Sequence, residues 1–318
     1  MSFIDNHINT LDIESNCIRV LGARGNIIRY WGKAPVPSGM IKNTYIHDPE
    51  GVAGIITGLC KEVGMPRRKV SVAVSDFRSV FRFVTLPRLK SGQVEEAVMW
   101  AAEREMPVPL DTLYVTWQVI EKTDAGQRVF ILGIPRATFD QLVKTLWIAG
   151  ISTRVMENKA LVFGRLAGTN SAVMAHLEDE TVSTVIMQNG IPSVMHTVLI
   201  NPENTETGDR IQILSDDLFR TIEFYNISHP EQPVGPGVPL YLSGGIVTDG
   251  VPEKVRGKID RPVEMPDIPL AVPAGLSAPE YAVNIGLVLR ETRYQKRKQQ
   301  TGVIPLRLDI GRAKRFSI

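Results

Sequence analysis

The sequence predicts an α/β protein of two like halves facing a cleft, with a smaller unit inserted into the first. Three observations carry this. A three-strand meander leading to a helix occurs at the start of the chain and again after residue 170. Between the two, residues 77–151 read as a compact β-α-β-β-α unit of their own. The length of 318 residues fits about two domains and allows roughly 75 % of the unfolded surface to be buried. A doubly wound dinucleotide-binding arrangement is the competitor, but no G-x-G-x-x-G follows the first strand.

Taken in order, residues 9–13, 17–22 and 26–31 are strand-like runs separated by polar and glycine turns. Asp48 and Pro49 then open a helix whose apolar positions Val52, Ile55, Ile56, Leu59 and Val63 recur every three or four residues, with Asp48 as N-cap and Gly64 as the stop. Val70, Val72 and Val74 alternate with small residues as a strand, and 80–86 form another that Pro87 ends. Ser91 is placed to cap the next helix, with Val94, Val98, Ala101, Ala102 and Met106 along one face. A hairpin of 113–120 and 128–134 and a helix over 138–149 complete the inserted unit.

A strand near 151–155 and a helix near 159–166 lead to the second meander, 171–177, 181–187 and 191–199, with Gln188-Asn189-Gly190 as a tight turn. A long helix over 209–224 follows, then a buried strand Pro239-Leu240-Tyr241-Leu242 running into Ser243-Gly244-Gly245. A Pro-rich connection leads to a last helix over 279–295.

Composition excludes several classes of function. With 43 % hydrophobic and 22 % charged residues and a formal charge of +2, the chain is neither disordered nor a default nucleic-acid binder. The charge is uneven: from Arg293 onward eight basic residues face Asp309 alone, leaving an acidic body and a basic tail. Two cysteines, Cys17 and Cys60, fit a reducing compartment, and five scattered histidines show no zinc-ligand spacing. No segment approaches the ~20 apolar residues a spanning helix needs, so a cytoplasmic protein is expected. The phosphate-loop, G-x-S-x-G, H-E-x-x-H and S-x-x-K signatures are missing. The acidic pairs Glu95-Glu96 and Asp216-Asp217 diverge by ~100° on a helix and read as solvated faces. No catalytic residue and no metal site are expected.

Four segments resemble the PilM/FtsA family of actin-like proteins. Asp12-Ile13-Glu14-Ser15-Asn16-Cys17-Ile18-Arg19 is similar to its opening D-I-G-S-x-S-I-K. Thr85-Leu86-Pro87, then Val94-Glu95-Glu96-Ala97, then Met106-Pro107-Val108-Pro109 resembles its inserted subdomain. Leu242-Ser243-Gly244-Gly245 resembles the glycine turn beside the adenine, and Tyr281 to Arg290 its final A-x-G-L-A-L-R helix. The resemblance implies an actin-like two-lobed fold of duplicated RNase H-like halves. The implied division is a first lobe at 1–76, completed by 152–170 and 280–298, an inserted subdomain at 77–151, a second lobe at 171–279 and a basic tail at 299–318.

The departures from the family matter most. Where it uses glycine so that backbone N–H groups reach phosphate, this chain carries Glu14. The second hairpin, D-I-G-x-x-T in the family, is His176-Leu177-Glu178-Asp179-Glu180-Thr181. The degenerate cleft is thus expected to comprise Asp12, Glu14, Ser15, His176, Glu178, Ser243, Gly244 and Gly245. Two like charges at 4 Å repel by ~4 kcal/mol in an effective dielectric of 20, so two carboxylates aimed at a triphosphate offset a micromolar affinity of ~8 kcal/mol. The expectation is a nucleotide-free scaffold; ATP with magnesium enters only if the cleft still functions, and an alignment shifted by one or two residues would leave both glutamates in exposed turns.

The tail alternates, with Ile304, Leu306, Leu308 and Ile310 on one side and Arg307 and Asp309 on the other. This strand period does not reproduce the membrane helix that ends FtsA. In the pilus family PilN places an apolar and basic peptide in a groove beside the inserted subdomain, and the tail is faintly similar. The two readings are self-association through an extended tail and a basic tail with no fixed seat. A basic run, Arg67, Arg68, Lys69, Arg78, Arg82, Arg88 and Lys90, is either a solvated face or a peripheral contact with anionic lipid. The resemblance implies a cytoplasmic pilus scaffold at the inner-membrane face that binds the cytoplasmic segment of a PilN-like membrane protein, not an enzyme. The alternatives are an FtsA-like tether and an active actin-like ATPase.

Overall fold

The computed structural model describes residues 7–167, 171–201 and 206–292; the tail positions Ile304, Leu306, Arg307, Leu308 and Ile310 lie outside them. The chain begins with β1 (His7–Ile13), β2 (Cys17–Arg24) and β3 (Ile27–Pro35), then the short pair β4 (Ile41–Lys42) and β5 (Tyr45–Ile46), helix α1 (Pro49–Glu62) and β6 (Val70–Val74). Asp48 caps α1 as the sequence predicts, accepting the Gly51 N–H at 2.9 Å. There follow β7 (Val80–Leu86), α2 (Ser91–Glu105), β8 (Leu113–Lys122), β9 (Gln127–Pro135), α3 (Arg136–Ile148), β10 (Thr153–Asn158) and α4 (Lys159–Phe163). Helix α2 starts one residue earlier than expected: Lys90 is its N-cap and Ser91 its first helical residue.

The second half repeats the plan with β11 (Ala172–Leu177), β12 (Thr181–Gln188), β13 (Ile191–Leu199), α5 (Thr207–Ser228), β14 (Leu240–Ser243), α6 (Val251–Arg256), β15 (Val263–Glu264) and α7 (Ala282–Glu291). Asn189 and Gly190 both take positive φ, 52° and 72°, the primed turn that an N-G pair provides. Helix α5 extends one turn past the expected end, to Ser228, with Tyr225 buried in that added turn.

Two five-stranded sheets result, with orders β10-β6-β1-β2-β3 and β13-β12-β11-β14-β15. In each, the meander is antiparallel and the following strands add in parallel to its first strand. The halves are therefore duplicates of one plan. A third sheet, β7-β9-β8, carries α2 on one face, where Val84, Val98, Ala102, Leu113 and Ile131 make a separate core. Helix α3 buries Phe139, Leu142 and Leu146 in the core it shares with Val52 and Ile56 of α1, and it connects the inserted strands to β10.

Helices α4 and α7 join the halves. Ala160, Val162 and Phe163 of α4 and Val283, Ile285 and Leu287 of α7 share one core with Leu21 of the first sheet and Met174 and Val185 of the second. Glycine 286 allows this crossing: a Cβ there would stand 2.4 Å from Val162 Cγ1 and 2.9 Å from its carbonyl oxygen.

Candidate functional site

The two meanders point their first turns at each other across the middle of the molecule. The turn after β1 carries Glu14 and Ser15, and the turn after β11 carries Glu178, Asp179 and Glu180. Asp12, Glu14, Arg19, Lys159, His176 and Glu178 are between 0 and 8 % exposed. Such burial of six ionisable groups is tolerable only if they are paired.

They are. Arg19, opposite Asp12 in the β1–β2 register, reaches across to Glu178 with two parallel bonds of 3.0 Å and lies 3.6 Å from Asp12. Lys159, the first residue of α4, sits 2.9 Å from Asp12 and donates a short bond to Glu14. His176 Nε2 lies 3.2 Å from Glu178 and 3.8 Å from Glu14, and its Nδ1 lies 3.0 Å from the Ser243 hydroxyl. Ser243 passes its own proton to the Ala175 carbonyl, so Nδ1 donates to it. With Nε2 facing two carboxylates, both ring nitrogens carry protons.

Protonation equilibria follow the geometry. Burial alone would lower the His176 pKa, but Glu14 and Glu178 outweigh it and push it up to about 9. Burial works against the charged form of Glu178 too, yet Arg19 and His176 pull it down to about 2. Lys159 is raised well above the ordinary lysine range because Asp12 and Glu14 outweigh its desolvation. Arg19, Lys159 and His176 thus stand against Asp12, Glu14 and Glu178, with Glu280 3.6 Å from Arg19 at the edge, and the Arg19–Glu178 and Lys159–Glu14 pairs join elements far apart in sequence.

This corrects the repulsion expected from the sequence. Glu14 and Glu178 are neither solvated turn residues nor bare charges lining a cleft; they are neutralised by Lys159, Arg19 and His176 and fill the space between the turns. Three backbone donors there are engaged as well. The Glu14 N–H donates to Cys17 O at 2.8 Å, the Glu178 N–H to Thr181 O at 2.9 Å, and the Gly245 N–H to Glu178 Oε1 at 2.9 Å. The Ser243-Gly244-Gly245 turn fits the same arrangement. Gly244 takes φ +114°, where a Cβ would lie 2.1 Å from the Leu177 carbonyl oxygen, and a Cβ on Gly245 would lie 2.3 Å from Arg19 Nη2. Ser15, half-buried in the turn next to Glu14, bonds Glu180 of the facing turn.

Donor atoms of Glu14, His176 and Glu178 come within 4.8 Å of one another, a convergence that sequence spacing did not suggest. In this structure the three side chains pair with Arg19, Lys159 and one another. Arg19 and Lys159 were missed as site residues. The cross-strand register of Asp12 with Arg19 was the one available signal; nothing local marks Lys159.

Of two other expectations, that for the acidic pair changes, while the basic run agrees with a solvated face, with Arg67, Arg68, Lys69, Arg78, Arg88 and Lys90 exposed. Asp217 is buried and bonded to Thr184 and His196 at 2.7 Å each, while Asp216 is exposed, so only one of that acidic pair is solvated. The basic run is interrupted by β6, with Arg67, Arg68 and Lys69 before its start and Arg78 beyond its end. Arg67 is committed to Ala149 O at 2.8 Å, Arg82 to Glu105 O at 2.9 Å and Arg88 to Asp124 at 3.4 Å. Among the described residues no helix is long and apolar enough to cross a membrane.

A second surface lies on the inserted sheet, on the face opposite α2. Phe81 and Phe83 are half-buried there, with ring centroids 5.6 and 5.2 Å from that of buried Phe130, and the Arg128 guanidinium lies 4.7 Å from the Phe83 centroid.

Comparison with known proteins places these features in context. The family of type IV pilus assembly protein PilM matches residues 11–212. No curated protein sequence matches with significance. Among solved structures, a PilM-PilN type IV pilus biogenesis complex is similar with a TM-score of 0.73 and 21 % identity, over 89 % of this chain and 98 % of that one. Ethanolamine utilization protein EutJ from Carboxydothermus hydrogenoformans is similar with a TM-score of 0.53 and 11 % identity, over 89 % of each chain. At such identities the likeness concerns the fold, the two-lobed actin-like one that the duplicated sheets display.

Proposed function

The chain belongs to the type IV pilus assembly protein PilM family, and from that membership we propose that it is a cytoplasmic scaffold at the inner-membrane face, holding the cytoplasmic segment of a PilN-like membrane protein without using nucleotide. The observation that carries the reading is the buried ion-pair cluster. A polyphosphate would need the cations beside the two turns, and Glu14 and Glu178 already engage them. To admit phosphate, Arg19 and Lys159 would have to exchange buried carboxylate partners, and breaking a buried pair costs about 3–5 kcal/mol. The residues present do not fit ATP and magnesium, and catalysis is assigned no residue.

Partner binding is assigned to the inserted unit, which the sequence bounds at 77–151. An aromatic face backed by a packed sheet, with Phe81 and Phe83 still partly accessible, suits the apolar side chains of an extended peptide. The test is fluorescence anisotropy with a labelled peptide spanning the cytoplasmic segment of a PilN-like protein. The expected result is saturable binding with the same dissociation constant with and without Mg-ATP, weakened at least tenfold by Phe83→Ser. Binding that requires ATP would refute nucleotide independence; binding unaffected by Phe83→Ser would refute this surface.

A further inference from the structure

Helix α5 turns one face into its own lobe and leaves the other bare. Ile211, Leu214, Leu218 and Tyr225 are buried, and Asp217 pins the helix to the sheet through Thr184 and His196, which fixes its rotation. On the outer face Phe219, Phe224 and Ile227 are 68, 69 and 75 % exposed. An outward helix face is ordinarily polar, and clustered large apolar groups on one mark an interaction site. A groove runs along each flank. One, of about 620 Å³, lies between α5 and residues 258–261 over Leu218 and Ile222. The other, of about 500 Å³, lies against β13 with Val194, Val198 and Ile213 in its wall.

The charges among these apolar groups indicate the occupant. Asp216, Arg220 and Glu223 are exposed on the same face, so the surface offers both signs in a fixed order. If a second α5 lies antiparallel across it about a two-fold axis between Thr221 and Ile222, each Arg220 falls opposite Glu223 of the other copy. Such reciprocity, residue i on j and j on i, is what a closed two-fold contact requires. A uniformly acidic foreign segment would be repelled by Asp216 and Glu223, and a uniformly basic one by Arg220. An aromatic side chain can bury about 200 Å², so the exposed parts of Phe219, Phe224 and Ile227 from two copies supply roughly 800 Å². With the charged rim and groove walls this approaches the ~1,200 Å² at the lower end of specific interfaces.

We propose that the outer face of α5 is a self-association surface whose partner is a second copy of this chain, with the helices antiparallel and Arg220 paired with Glu223 across the two-fold. This is a different surface from the peptide-binding face of the inserted sheet, and it does not involve the basic tail.

The test is sedimentation equilibrium of the full chain from ~1 to ~100 µM, a range that spans the affinity of a modest interface. The wild type is expected to dimerise reversibly. Arg220→Glu alone and Glu223→Arg alone each bring like charges together and weaken the dimer at least tenfold, as does Phe219→Ser. The double variant R220E/E223R restores the opposite-sign pair and returns the dimer to near wild-type affinity, a recovery that misfolding cannot mimic. A wild type that stays monomeric throughout, a double variant as weak as the singles, or a dimer indifferent to all four changes would overturn the proposal.

Discussion

His176 shows how one residue's surroundings decide its role. In the family pattern that the sequence resembles, an aspartate stands at this position. Here the side chain is an imidazolium clasped between Glu14, Glu178 and the Ser243 hydroxyl. Its pKa rises from an ordinary 6.5 to about 9, and a group raised on folding stabilises the native state fully below its unfolded value and loses that contribution as pH climbs through the folded one. Glu178 runs the other way, from 4.5 to about 2, so its contribution is complete above about 4.5 and fades as pH falls toward 2. Urea unfolding is therefore expected to show stability highest between roughly pH 4.5 and 6.5 in these two contributions, with a decline from 6.5 to 9 that His176→Gln removes. A His176→Gln variant whose stability falls over that upper window as steeply as the wild type's would contradict the imidazolium assignment.

At the scale of elements, long segments with a clear period were legible and short ones were not. The α1 helix announced itself through Asp48, Pro49 and the spacing of Val52, Ile56 and Leu59, and both meanders through alternation and turn residues. The two-residue strands β4, β5 and β15 carry no period at all, and α6, six residues opening on Val251-Pro252, is too short to establish one. Helix α3 was visible as a helix, but its packing on α1 depends on where the chain returns after the inserted strands. The joint between α4 and α7 was legible only as a motif residue, Gly286, and its reason is the close approach of Val162. Gly286→Ala is expected to cost about 1–3 kcal/mol, the usual penalty for overpacking, and Val162→Ala in the same chain should recover part of it by removing the nearer clash. Additive losses in a double-mutant cycle by denaturant unfolding would show that the two helices do not meet as described.

For the molecule as a whole, the sequence yielded one side of the site and concealed the other. Asp12, Glu14, His176, Glu178 and the Ser243-Gly244-Gly245 turn could be named from motif positions, and the structure brings them together. Their partners could not. Arg19 and Glu178 are 159 residues apart in the chain, and Lys159 and Glu14 are 145 apart, so no local pattern reveals that one neutralises the other. Reading the acids without the bases led to an expected negative cleft; the folded chain has a neutral, closed one that ties its lobes together. On the proposed reading, this cluster holds the two turns together without a ligand and the protein works through its surfaces.

The most direct test of that account is isothermal titration calorimetry of the full chain with Mg-ATP at neutral pH, carried to about 1 mM nucleotide. The account predicts no saturable heat and an unfolding temperature unchanged by the nucleotide. A one-to-one isotherm with a micromolar dissociation constant, accompanied by thermal stabilisation, would mean that the ion pairs open to admit phosphate and would contradict it.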